Sequence, residues 1–452
     1  MTFRDTAPST NRTHDPAGGP HCSAEENEVP VSVAESERSS PEGPGSQIEP
    51  HPVTPVHAPM GFAEFVAVVA ALMALNALAI DIMLPALQEI GAAFHVLEPN
   101  RRQTILSSYL IAFGIGQLLI GSVSDRFGRR PVLLGGLALY IMAAALCAAA
   151  TSFEALLFAR FLLGLASAAP RVITTAIVRD SYSGRRMASV MSLAMTAFIA
   201  VPVLAPSIGQ VVLLFGPWRA IFGLLTAYGV LMAAWISLRL PETLPVERRR
   251  SVAPKRLLSA FYRVITTRQT LGYALAGGMM FGANFGFLVS AQQVFTEIFG
   301  LGVYFPLAFA AVALTMSMSS FINSRLVGRL GMRVISHGAV ACFTLIAGIM
   351  AMLARLDALT FLPFMVLLAG LMFLLGMVFS NFNSLAMEPQ GEIAGTASSL
   401  FGSITTVMAA VLGYLVGQAY NGTLVPLTTA YFALGATTVV IIAVTERGRF
   451  LR

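Results

Sequence analysis

GSVSDRFGRRPVLLGGLALYIMAAALCAAA, residues 121–150, sets nineteen uncharged residues (132–150) directly behind a turn that carries Asp125, Arg126, Arg129 and Arg130. A helix needs about 20 such residues to cross the hydrocarbon of a bilayer. The run shows no alternation with a period of two, so it is not a strand of a membrane barrel. Main-chain N–H and C=O groups have no water to bond within lipid, which leaves the helix as its only fold there.

Runs of this kind recur from residue 62 onward. They fall near 63–85, 104–123, 132–151, 154–177, 188–213, 218–238, 270–294, 302–323, 334–354, 359–386, 394–419 and 423–444. The expectation is therefore an all-α membrane protein with twelve transmembrane helices. Composition agrees: of 452 residues, 56% are hydrophobic and 12% charged, against about 25% charged in a soluble domain. An ordinary cytosolic enzyme, a nucleic-acid binder and a disordered scaffold are excluded. Cys22, Cys147 and Cys342 form no disulfide frame or zinc spacing, and the six His show no metal pattern. No GxxxxGK[ST] string occurs, so the chain holds no ATP-driven motor of that type. No cofactor is implied.

The net charge of +6 conceals a split. Residues 1–60 hold three Arg against nine acidic residues, whereas 61–452 hold 26 basic and 14 acidic. Loops on one side of the spans carry 20 of those basic residues and loops on the other carry four: Arg101, Arg102, Arg219 and Arg355. Basic loops stay in the cytoplasm, so both termini are expected there. The Pro-, Ser- and Glu-rich stretch 1–59 reads as a disordered cytoplasmic tail, because it has too few apolar residues to fold alone. Met60 stands directly before the first apolar run, and a translation start there is the alternative reading. The expected division is then a six-helix half at 60–239, a basic linker at 240–269, a second six-helix half at 270–445 and a cytoplasmic end at 446–452.

The halves echo one another. DRFGRRPV after span 2 and GRLGMRVI after span 8 align Arg126 with Arg329, Gly128 with Gly331 and Arg130 with Arg333, all 203 residues apart. In the first string Gly121 suits a close helix approach and Gly128 a tight turn. Asp125 can meet Arg129, Arg130 or a helix N-terminus. Gly328 stands where Asp125 would repeat, so the second loop offers no carboxylate of its own. Parallel six-span repeats imply a carrier with its substrate site between the halves.

The string 121–134 resembles the signature between spans 2 and 3 of the major facilitator superfamily. AIDIMLPAL (79–87) resembles the span-1 signature of its Bcr/CflA drug-resistance subfamily, a branch of the 12-span drug:proton antiporters. LLFARFLLGLASAA (156–169), AIVRD (176–180), APSIGQ (205–210), PWRAIF, PETL and EIAGTASSLFG (392–402) extend the likeness over about 61–445. Departures are Leu163 for a frequent Gln, Gly209-Gln210 for a Gly pair, an added Pro202 and the pair Pro170-Arg171. An extra acidic group before Asp81 is also lacking, with Asn76 the nearest polar residue. The resemblance implies two pseudo-symmetric six-helix halves and proton-coupled export of drug-like small molecules across the inner membrane. A dedicated exporter of a metabolite, siderophore, amino acid or peptide is the alternative, and a transporter-like sensor the more distant one. Expected partners are the substrate, protons and membrane lipid, with a monomer as the working unit.

Within this resemblance Asp81 and Arg160 carry proton coupling. Both stand at similar depth from the side opposite the basic loops. A charge at mid-membrane costs on the order of 3 kcal/mol, so each should face a water-filled cavity or the other. Gly121, Asp125, Arg126, Gly128, Arg129 and Arg130 form the cytoplasmic gate, and Pro202, Pro206 and Gly209 the antiporter motif. Asn76, Tyr109, Asn284, Phe285, Asn381 and Asn383 are candidates for the substrate cavity, since apolar walls with a few polar handles suit such ligands. The Asn residues equally suit hydrogen bonds between helices. Arg171, nearer the basic side, reads as a residue snorkelling to the interface.

Overall fold

The structure is a computed structural model that describes residues 60–96, 98–249 and 254–448. The expected tail at 1–59 lies outside the described residues, as do 250–253 of the linker and 449–452 of the C-terminal segment. Twelve long apolar helices follow one another: α1 (Phe62–Asp81), α2 (Thr104–Phe127), α3 (Arg129–Ala148), α4 (Phe153–Ser181), α5 (Gly184–Phe215) and α6 (Arg219–Arg239). The second six are α7 (Arg268–Gln292), α8 (Phe305–Leu330), α9 (Met332–Arg355), α10 (Phe361–Met387), α11 (Ala394–Gln418) and α12 (Val425–Thr445). Among the described residues there is no strand, and twelve helical segments are long and apolar enough to span a membrane.

Hydropathy locates the lipid but not the helix ends. α4 and α5 both run further at the basic end than their apolar runs of 154–177 and 188–213. The i→i+4 hydrogen-bond ladder does not stop where the hydrocarbon does, and Arg179 and Asp180 continue it. Breaks occur where the backbone demands them. Gly128 between α2 and α3 has φ +98°, and its repeat partner Gly331 between α8 and α9 has φ +81°. That region strains a residue with a Cβ, so the repeated turn rests on these two glycines.

In the first half α4 packs on α2 and α3, α3 on α6, and α1 on α5 and α4. The second half repeats the pattern with α10 on α8 and α9, α9 on α12, and α7 on α11 and α10. The halves join through α2 with α11 and α5 with α8. Advancing every helix by six converts the first junction into the second, which is the pseudo-twofold symmetry of the fold. Leu214, Leu238, Leu345, Leu362 and Val366 remain exposed on the helix bundle, surface that a bilayer covers.

One element was not expected. Residues 240–269 read as a plain basic linker, yet Pro254–Thr266 is helical. Val264 of that helix is buried against Ala397 and Leu400 of α11. Its Lys and Arg content hid the helix from a reading based on apolar runs.

Candidate functional site

α1 ends at Asp81 because of Pro85. Proline has no N–H for the Asp81 carbonyl, and its ring would collide with that carbonyl if the helix ran on. The chain turns through Leu84–Ala86 into a short helix at Leu87–Ala93. Gly209 of α5 lies against this break: a Cβ there would stand 1.9 Å from the Ile82 carbonyl oxygen and 3.2 Å from Pro85. Two motifs apart in sequence thus meet at one point, the proline-broken end of α1 and the Pro206–Gly209 stretch of α5. Pro206 shares the buried side of α5, while Pro202 is half-buried.

Asp81 is 6% exposed and Arg160 of α4 is fully buried. Among the described residues the two form no ion pair, so of the two expected arrangements the mutual pairing is not the one present. Arg160 instead donates from Nη1 to the Ala79 carbonyl at 3.0 Å and from Nε to the Ile105 carbonyl at 3.3 Å. Its guanidinium covers the Tyr109 ring at 4.5 Å, and its buried Nη2 lacks an acceptor. The Tyr109 hydroxyl donates to Asn76 Oδ1 at 2.7 Å. Asn76, Tyr109 and Arg160 thus form one cluster that joins α1, α2 and α4, with Asp81 at its edge. The Asp81 carboxylate makes no hydrogen bond or ion pair among the described residues.

The other cavity candidates do not join this cluster. Asn381 of α10 donates to Asn323 of α8 at 2.8 Å and to the Met377 carbonyl, the helix-bonding use that its type permits. Asn383, two residues on, is exposed. Asn284 is half-buried on α7. Its neighbour Phe285 packs with Phe281, whose ring lies 4.3 Å from Phe379.

At the basic end Arg129 is the hub. It is 4% exposed and pairs with Asp125 at 2.6 Å, Asp180 at 3.0 Å and the Ser124 hydroxyl at 2.7 Å. Glu242, beyond α6, accepts from the main-chain N–H of Arg129 at 2.9 Å and of Arg130 at 3.3 Å. A carboxylate on the free N–H groups of a helix start is electrostatically favourable. A Cβ on Gly128 would stand 2.4 Å from that carboxylate, a second reason for glycine in the turn. Arg130 donates to the Ser237 carbonyl rather than to Asp125, and Arg126 lies over the Phe127 ring. Gly121 corrects its expectation: a Cβ there would meet Ser399 at 3.6 Å and Val172 at 3.9 Å, ordinary contacts that a larger residue tolerates.

The second loop, with Gly328 in place of an acid, borrows its carboxylates from other segments. Arg333 pairs with Glu388 at 3.0 Å and with Glu446 at 3.4 Å. The Tyr273 hydroxyl donates to Glu446 at 2.6 Å and also contacts His337. Glu446 follows α12 as Glu242 follows α6, so each half holds a basic-end lock. Asp180 and Glu242 stood within quoted motifs, AIVRD and PETL, without an assigned role. Glu388 and Glu446 carried no local signal.

At the end away from the basic loops, polar side chains tie the halves. Asn100 donates to the Gln418 carbonyl at 3.0 Å and the Tyr420 carbonyl at 2.8 Å. It accepts from Gln418 at 2.9 Å and from Gln293 at 3.1 Å. Gln103 bonds Gln293, and Arg102 lies 3.7 Å from Glu297. Burial, with Glu297 close by, pushes the Tyr420 phenol up to about 12, so it stays a donor. Deeper ties run from Ser403 to the Gly114 carbonyl and from Gln117 to Thr406. Sequence reasoning missed this closure, although Asn, Gln and Glu at the ends of otherwise apolar spans marked it.

Residues 69–445 match the family described as Major Facilitator Superfamily. A bicyclomycin resistance protein homolog of Haemophilus influenzae is 31% identical over 365 residues, 80% of this chain and 90% of that protein. The chloramphenicol resistance protein of Pseudomonas aeruginosa is 29% identical, covering 81% of this chain and 86% of that one. Multidrug resistance protein D of Escherichia coli K12 is 28% identical, covering 76% and 86%. Among solved structures, the xylose transporter XylE of E. coli in a partially occluded inward open conformation superposes with a TM-score of 0.65 at 12% identity, covering 84% of this chain and 97% of its own. The human organic anion transporter MFSD10 gives 0.61 at 21%, covering 84% and 99%. At these identities the two structures speak for the fold alone.

Proposed function

The chain belongs to the major facilitator superfamily, and on that premise we propose that it is a proton-coupled antiporter that exports drug-like small molecules across the inner membrane. The family is one of transporters, not enzymes. Three curated relatives named for resistance to bicyclomycin, chloramphenicol or several drugs support the choice of cargo. The excess of basic residues on one face supports a cytoplasmic location for that face and for both termini. In this reading 60–239 and 270–445 are the two rocking halves, joined by 240–269, and the working unit is a monomer.

The observation that carries proton coupling is Asp81. The residue is 6% exposed, lies at the end of the first span and has no cation paired with its carboxylate among the described residues. A carboxylate so placed changes its proton affinity when hydration changes, since desolvation disfavours the charged form and water restores it. Arg160, fixed by two carbonyls, supplies a constant positive field at the same depth. Rocking of the halves opens Asp81 to one face and then to the other, so that a proton taken up on one side is released on the other.

The test uses purified protein in vesicles with an imposed pH gradient and a panel of chemically diverse drugs. The parent should concentrate several of them, and Asp81→Asn should lose gradient-driven flux while keeping a monodisperse fold. Gradient-driven flux in Asp81→Asn equal to the parent would remove Asp81 from the coupling step. Flux confined to one metabolite would replace drug export with a dedicated exporter.

A further inference from the structure

Arg171 has no role in any cluster described above. It follows Pro170 within α4, ten residues from the helix end at Ser181 and six residues, about 9 Å at 1.5 Å per residue, from the end of the apolar run at 177. It is half-buried, and its guanidinium makes no hydrogen bond or ion pair among the described residues. Two acidic groups of that end are engaged elsewhere, since Asp125 and Asp180 both pair with Arg129. Arg160 is three turns further along the same helix face, about 16 Å away.

Arg171 also heads a path. Thr175 and Arg179, one and two turns nearer the basic end on the same face, are both exposed, whereas residues 173, 174 and 176–178 between them are buried. Arg179 makes no ion pair among the described residues either. The path lies on the side of α4 that faces α2: Gly164, two turns before Arg171 on the same face, packs against the Tyr109 main chain. Val172, next to Arg171, lies 3.9 Å from where a Gly121 Cβ would stand, and Ser399 of α11 lies 3.6 Å from that same point. Two cations and a hydroxyl thus line one side of the junction between α2, α4 and α11, from the basic surface to the membrane interior.

An unpaired cation held inside a span is costly unless water or an anion reaches it. Among the described residues no carboxylate pairs with it, which leaves the guanidinium free for an anion from outside. We propose that Arg171 is a specificity-determining residue that binds an acidic group of the cargo, a carboxylate or sulfonate, delivered along Thr175 and Arg179 from the basic side. This rests on the exporter reading and names the class of molecule exported. A guanidinium fork suits such planar or tetrahedral oxyanions, which take two parallel N–H···O bonds from it.

The test measures binding to the full chain in a neutral detergent, by scintillation proximity with two matched labelled probes. One is anilinonaphthalene sulfonate, and the other is neutral phenylnaphthylamine, which lacks the sulfonate. The sulfonate affinity should fall about tenfold in Arg171→Gln, the usual scale for one charge-assisted bond, and less in Arg171→Lys. Phenylnaphthylamine should bind parent and variants alike, which also reports that the variants are folded. Sulfonate binding unchanged in Arg171→Gln would overturn the inference while leaving the exporter reading intact, provided phenylnaphthylamine still binds. Displacement of the sulfonate by added phosphatidylglycerol would assign Arg171 to a lipid phosphate and overturn it as well. Failure of the parent to bind either probe would overturn the exporter reading, and this inference with it.

Discussion

Gly209→Ala is the sharpest steric test of how α5 bears on the proposed proton site at Asp81. The new Cβ would stand 1.9 Å from the Ile82 carbonyl oxygen, one residue past Asp81. Ordinary carbon–oxygen contact begins near 3.4 Å, so α5 and the end of α1 must part by roughly 1.5 Å. The obstacle is main chain on both sides, and no rotamer change relieves it. Overpacking of this kind costs about 1–3 kcal/mol. Gly223→Ala on α6 is the control, because nothing lies within 4 Å of its Cβ position. Thermal unfolding in detergent should show Gly209→Ala several degrees below the parent, with Gly223→Ala unchanged. Gradient-driven flux should fall in Gly209→Ala beyond any loss of folded protein, because the displaced turn carries Asp81 with it. Parent-like melting and flux in Gly209→Ala would refute the contact and the role drawn from it.

Arg160→Ala should reduce flux far more than Arg160→Lys reduces it, because the alanine removes the donors to Ala79 and Ile105 and leaves the Tyr109 ring uncovered; equal losses in vesicle assays would argue against a charge-and-donor role. Glu242→Gln removes the negative charge from the start of α3 and should cost about 1–2 kcal/mol, read as a lower melting temperature whose deficit shrinks in high salt. A deficit independent of salt would point to packing instead. Arg333→Gln should speed amide exchange at the ends of α10 and α12, where Glu388 and Glu446 lose their shared cation; unchanged exchange there would show that the pairs carry no weight.

What could be read in advance divides by the range of the interaction. Twelve spans were legible because each is a local run set against a fixed hydrocarbon thickness. The Asp125–Arg129 pair was legible because four residues bring two side chains together on or beside a helix. Glu242 was not, since it reaches Arg129 across 113 residues and only the packing of α6 beside α3 brings it there. Arg160 was hidden for another reason: a buried guanidinium suggests a carboxylate or water, but here main-chain carbonyls of two neighbouring helices take its Nε and Nη1 hydrogens. The second basic-end lock escaped because its repeat is not position for position. Arg333 replaces Arg130 at the fixed offset, while the carboxylates arrive from segments after α10 and α12.

The distribution of these contacts bears on how a cycle can run under the proposed function. At the end away from the basic loops, five hydrogen bonds around Asn100, Gln103, Gln293 and Gln418 cross between halves. The basic-end locks instead lie within their own halves: Arg129 with Asp125 and Asp180, Arg333 with Glu388 and Glu446. Neutral hydrogen bonds contribute about 0.5–1.5 kcal/mol each once water is counted, so the outer ties hold the halves by a few kcal/mol. That scale suits a two-state equilibrium that a ligand or a proton can move. The locks must keep each half rigid for the rocking to be transmitted, and the ties must be weak enough to part. Binding energy at Asp81 then needs to offset only the ties, because the locks move with their helices and need not open.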